Sequence, residues 1–239
     1  MRRHHEVTRV EALSDAVFAF AATLLVVSLE VPRTYPELVD NLRGFVAFGI
    51  SFVMLLTIWW AHNGFFRRYG MQDGKTMALN SVLLFVVLFY VYPLKFLFSA
   101  LVGRMLGIRS ESSVELHAGE ITPLMVIYGL GFIAVFLCFS LLYLHAWNRR
   151  TALGLDALEA FEAITWSRHY LIFVGVGVLS VVLALLHVGE RIGMPGWIYG
   201  MIGPFCTWNG MVRQRQRQRL ESDLALRGAT VSGTAAAGG

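Results

Sequence analysis

Residues 9–32, RVEALSDAVFAFAATLLVVSLEVP, place the tightest limit on what this chain can fold into. The run of about 23 residues before Pro32 gives, at 1.5 Å per residue, a helix of roughly 34 Å, enough to cross the hydrocarbon core of a bilayer. It is not uniformly apolar: Arg9, Glu11, Ser14 and Asp15 stand near its start and Glu30 near its end. At about 100° per residue, Leu13, Ala16, Phe20, Val27 and Val31 share one face with Thr23 beside them, whereas Glu11, Ser14 and Asp15 lie opposite. A carboxylate at the centre of a membrane helix costs about 2.5–3.5 kcal/mol, so the polar side calls for neighbouring helices or water. The apolar stripe is left for lipid or for a central axis.

The remaining sequence has the same character. With 56% hydrophobic and 15% charged residues and a mean hydropathy of +0.59, it is too apolar for an ordinary soluble domain, in which about 25% of residues are charged. The formal net charge of +4 comes from arginines lying between apolar runs, a juxtamembrane pattern and not the basic face of a nucleic-acid binder. Cys138 and Cys206 fall inside apolar runs and read as reduced small hydrophobes. No cleavable signal peptide is expected ahead of Arg9.

The pattern therefore predicts an all-α membrane protein of six transmembrane helices, at about 9–31, 39–62, 77–101, 121–146, 170–187 and 197–212. These form one transmembrane domain over 1–212; the tail over 213–239, basic and then rich in small residues, is expected to be cytoplasmic and disordered. Pro36 should keep the first loop from helix, Pro93 should kink the third span, and Gly203-Pro204 should bend the sixth. Residues 102–120 read as a loop, and Gly129 and Gly131 as points of close helix packing. Between spans four and five, Leu155, Leu158, Phe161, Ile164 and Thr165 recur at threes and fours, away from Asp156, Glu159 and Glu162. That spacing predicts a short amphipathic helix over 153–165, lying on the membrane surface.

Six spans put both termini on one side. Arg33, Arg43, Lys95, Arg104, Arg109 and Arg191 then fall on the other, and the remaining 14 of the 20 lysines and arginines lie with the termini, which places the termini in the cytoplasm of a cell-membrane protein. The strip RQRQRQR, Arg213 to Arg219, serves as a stop-transfer flank or as a holder of anionic lipid headgroups, at about 1 kcal/mol per arginine.

Polar residues inside the spans are few. Arg9, Glu11, Ser14 and Asp15 of the first, Trp59 and His62 at the end of the second and Asn80 at the start of the third all lie near the cytoplasmic face. They read as a structural network in which Asp15 accepts from His62, Ser14 and Asn80 with Arg9 nearby, because none of them can face lipid. An enzyme is not indicated. Ser14 and Asp15 are helical neighbours pointing about 100° apart, a poor geometry around one imidazole, and GxSxG, HExxH and phosphate-loop signatures are missing. No cofactor is implied, and no metal beyond a permeating ion.

These residues resemble a known family. Arg9-xxx-Leu13-Ser14-Asp15 is similar to the RxxxFSD signature of the transmembrane protein 175 family of potassium channels, and Trp59, His62 and Phe66 stand at its WxxHxxxF spacing, with Asn80 opening the third span. The resemblance implies a prokaryotic single six-helix repeat that assembles as a homo-tetramer, with the first helices lining a central pore for potassium. It puts Phe20 at the constriction, Thr23 on a hydroxyl layer and Val27 on an outer apolar ring. It assigns Arg9, Ser14, Asp15, Trp59, His62 and Asn80 to the network that holds the pore helix. Leu13 stands where the signature has Phe, and Phe20 where the family has an aliphatic residue. The partners implied are potassium ions, membrane lipids and further copies of the chain; the alternative function is a non-conducting membrane scaffold or lipid-binding protein.

Overall fold

The computed structural model describes residues 8–27, 33–106, 120–188 and 198–203, together with 210, 214, 217 and 218. Over these the chain forms α1 (Arg9–Val27), α2 (Tyr35–Tyr69), α3 (Gly74–Leu106), α4 (Ile121–Asn148), α5 (Ala157–Leu185) and one turn of 3-10 helix, Ile198–Met201. No strand occurs among the described residues. The five long helices are each long and apolar enough to cross a membrane. Most of the expected sixth span, Cys206, the end of the first span and most of the tail lie outside the described residues.

Two expectations about boundaries are corrected. Pro36 does not keep its segment from helix; it sits in the first turn of α2, where a missing N–H costs nothing, behind Thr34, whose hydroxyl accepts from Glu37 N at 3.4 Å. At its other end α2 passes His62 and Gly64 and stops at Gly70, whose left-handed backbone (φ 57°, ψ 28°) lets its N–H donate to Phe66 O at 2.8 Å. Nor is there a separate surface helix at 153–165. Asp156 and Glu159 form a capping box, and from Ala157 one helix runs unbroken to Leu185, because no proline intervenes and the apolar face of its first turns continues into the span.

Helix α3 likewise outruns the expected loop boundary, to Leu106, and keeps Pro93 in its interior. One turn beyond the proline, Leu97 N–H donates to the hydroxyl of Tyr128 on α4 at 2.8 Å, while the Tyr90 hydroxyl donates to Tyr128 O at 3.2 Å. Gly131 makes this approach possible, since a Cβ there would lie 2.3 Å from the Tyr90 ring. Helices α4 and α5 pair along their length. Ser140 Oγ donates to Ser167 O at 3.0 Å and Ser167 Oγ to Ser140 O at 2.9 Å, and a Cβ on Gly129 would meet Val181 at 2.2 Å. Small residues and reciprocal hydroxyl bonds are what hold helices together where lipid removes the hydrophobic drive between them.

The result is a group of α1, α2 and α3 joined to the α4–α5 pair. Aromatic packing makes the joint: Phe65 of α2 meets Tyr143 of α4 at 5.0 Å between centroids, and Tyr143 meets Tyr170 of α5 at 5.6 Å. On the polar side of the same joint Asp73, before α3, accepts from Thr76 Oγ1 at 2.6 Å and from His145 Nε2 of α4 at 2.8 Å, with Arg149 Nη1 at 3.5 Å. Burial acts to raise the Asp73 carboxyl's pKa, but the two hydrogen bonds and the cationic neighbours outweigh it and hold the value down at about 2.

Candidate functional site

Helix α1 is fixed on one side and bare on the other. The residues it buries are Ser14, Phe18, Ala21 and Leu25, spaced by four, three and four along the face that meets α2 and α3. The opposite stripe is uncovered: Leu13 is 61%, Phe20 57% and Val27 71% exposed, with Ala16 and Thr23 exposed between them. Phe20, Thr23 and Val27 therefore share one outward face, separated along the axis by about 4.5 and 6 Å. Thr23 Oγ1 donates its hydrogen to Ala19 O at 2.9 Å, so what the hydroxyl presents outward is oxygen lone pairs, an acceptor surface suited to a cation.

Behind this stripe runs a buried polar chain. His62 Nε2 lies 2.7 Å from Asn80 Oδ1. An amide oxygen only accepts, so Nε2 carries the proton. Asn80 Nδ2 donates in turn to Ser14 Oγ at 3.0 Å, and Ser14 Oγ to Val10 O at 2.8 Å. The three side chains are at most 2% exposed, and the imidazole is flanked by Phe18 of α1 at 5.5 Å and Phe66 at 4.6 Å. One continuous chain thus ties α2 to α3 and α3 to the first turns of α1.

Asp15 does not stand at its centre, contrary to the sequence-based expectation. It accepts from Trp59 Nε1 at 2.7 Å on the exposed rim, and Arg9 is exposed and hydrogen-bonds to none of the other five. Adjacent residues of a helix point about 100° apart, so when Ser14 turns into the α3 contact Asp15 cannot. The structure thus brings Ser14, His62 and Asn80 together, pairs Asp15 with Trp59 and leaves Arg9 apart. What sequence reasoning missed is the apolar part of the anchor, Phe18, Ala21 and Leu25, whose spacing carried the signal, and the Asp73 junction, whose Asp-x-x-Thr pair was legible in residues 73–76.

Known potassium channels resemble this chain over most of its length. The model of the family described as "Endosomal/lysosomal potassium channel TMEM175" matches residues 9–90, which hold α1, α2 and the part of α3 that carries Asn80. A relative from Marivirga tractuosa named "Potassium channel" is 36% identical over 230 residues, covering 92% of this chain and 93% of its own. The crystal structure of a variant of the potassium channel MtTMEM175, bound to a nanobody fusion protein, is similar with a TM-score of 0.78 at 36% identity, over 90% of this chain and 97% of that one. A TMEM175 homolog from Chamaesiphon minutus shares the fold at a TM-score of 0.55 and 23% identity, over 84% and 96%. With near-complete coverage of its relatives and the motif-bearing helices inside the matched segment, the chain belongs to the TMEM175 family.

Proposed function

We propose that this chain is a potassium-preferring cation channel: a homo-tetramer of multi-pass subunits in the cell membrane, both termini cytoplasmic, with four copies of α1 around the pore. The observation that carries the reading is the bare Leu13–Phe20–Thr23–Val27 stripe, set on a helix whose back is held rigidly by the His62–Asn80–Ser14 chain. Fourfold symmetry turns each residue of that stripe into a ring. Phe20 then makes an apolar constriction, Thr23 a layer of oxygen acceptors and Val27 a second apolar ring. An apolar constriction admits an ion only as water is stripped from it, which favours the cation that gives up its hydration more cheaply, potassium over sodium. The Phe20 ring faces add a weak attraction for the passing cation. The relatives are named as channels and not as enzymes, consistent with a site whose chemistry is desolvation and coordination.

The test is flux through the reconstituted full chain under a potassium gradient, alongside the stoichiometry of the purified particle. A tetramer conducting potassium in preference to sodium is expected, with larger flux in Phe20→Ala and weaker potassium preference in Thr23→Val. A monomeric particle, or no cation flux in either the wild type or Phe20→Ala, would overturn the reading and favour a non-conducting scaffold.

A further inference from the structure

A groove of about 700 Å³ lies away from the α1 stripe, between α2 and the α4–α5 pair, with Gly210, Gln214 and Arg217 along its edge. On α2 it extends from Thr57 to Arg68. Thr57 is the midpoint of the apolar span Phe45–Tyr69 and Arg68 stands at its end. The groove is therefore about 16 Å long, half of the roughly 30 Å hydrocarbon core, or one leaflet. Its floor is aromatic, with Phe136 and Phe139 of α4 and Trp166 of α5. Its mouth is ionic: Glu162 bonds Arg68 through Oε2 and Arg217 Nη1 through Oε1 at 3.1 Å. The two arginine side chains are 40% and 49% exposed, while that of Glu162 is only 15% exposed. Among the described residues that line the groove, two arginines stand against one carboxylate.

An apolar slot one leaflet deep, with arginines at the interface end, has the dimensions and polarity of a membrane lipid, and its volume lies within the usual range of ligand pockets. We propose that this groove binds an anionic glycerophospholipid of the adjoining leaflet, its phosphate at Arg68 and Arg217 and an acyl chain along the Phe136–Phe139–Trp166 floor. Arg217, in the basic strip that the pore does not use, thereby acquires a role at the lipid headgroup. The site is independent of whether α1 conducts.

The experiment is native mass spectrometry of the delipidated full chain in detergent, titrated with phosphatidylglycerol or phosphatidylcholine, with inorganic phosphate as a third arm. Phosphatidylglycerol is expected to be retained in preference to phosphatidylcholine. Arg217→Gln should weaken that retention about fivefold, the factor corresponding to about 1 kcal/mol per interfacial arginine. Gly64 lines the groove and a Cβ there meets nothing within 4 Å, so Gly64→Leu sends its side chain into the slot and should abolish retention, while Gly64→Ala, equally compatible with the helix, should preserve it. Equal retention of the two lipids, unchanged retention in both Gly64→Leu and Arg217→Gln, or inorganic phosphate displacing the lipid at equal concentration would overturn the proposal, the last by assigning the mouth to a soluble anion.

Discussion

Replacing Asn80 by leucine tests the anchor behind α1 most directly. The side chains are close in size, so the substitution leaves no large void, but it removes two hydrogen bonds at once: the one His62 Nε2–H donates and the one Asn80 Nδ2 donates to Ser14 Oγ. Ser14 keeps its bond to Val10 O and loses only an accepted one. His62 loses its partner inside a site where it is 1% exposed. A buried donor left unmatched costs about 1–3 kcal/mol, and side-chain bonds between membrane helices average about 0.6 and reach about 1.7 kcal/mol each. Together these give a loss of about 2–3 kcal/mol, or roughly 5–10 °C in the melting temperature of a chain this size. The Trp59–Asp15 bond offers the control, since on the exposed rim Trp59→Phe should cost under about 1 kcal/mol. The assay is thermal unfolding of the full chain in one detergent, followed by size-exclusion chromatography. Adding His62→Leu to Asn80→Leu should restore part of the loss, because the stranded imidazole is then gone. An Asn80→Leu melt within a degree of wild type, or Trp59→Phe proving the more harmful, would refute the ranking of the buried chain over the rim pair.

Three further outcomes are expected. Asp73 has its carboxyl held at about 2 against an ordinary 3.8, and a depressed folded value contributes stability that is full above the unfolded value and lost as pH falls through the folded one. The difference in melting temperature between wild type and Asp73→Asn should thus be present at pH 5 and shrink toward zero between pH 4 and 2; a constant difference would sever the effect from the carboxylate. Gly131→Ala forces a Cβ to within 2.3 Å of the Tyr90 ring and should destabilise by about 1–3 kcal/mol, whereas Gly175→Ala, with nothing within 4 Å, should be neutral or stabilising by up to about 1 kcal/mol. Equal melts of the two variants would contradict the packing. Tyr128→Phe removes the acceptor of Leu97 N–H beyond Pro93 and should cost about 1 kcal/mol, with faster amide exchange at Leu97; unchanged exchange there would show that the tyrosine does not support the helix.

Much of this is legible in the sequence. Length and apolarity announced membrane helices, and Ser14, His62 and Asn80 could be nominated because polar groups in a span must find partners. Which donor meets which acceptor was not legible: the expected hub at Asp15 gave way to Asn80, since a rotation of 100° between neighbouring residues decides which of Ser14 and Asp15 enters the α3 contact. The 153–165 segment misled for a related reason. Its charges belong at an interface, yet local composition does not reveal that the same backbone continues into the bilayer when no residue stops it.

The sequence by itself determined the membrane as solvent, the helical class, and α1 as a helix with one apolar stripe and polar residues at its start, because periodicity and hydropathy are local properties that every window carries. Only the tertiary structure decided which side of α1 is buried, that Phe20, Thr23 and Val27 are left uncovered, and that Arg68 and Arg217 meet on Glu162 at the mouth of a groove. Those outcomes depend on contacts between residues far apart in the chain, where helix rotation and the few available hydrogen-bond partners select one packing.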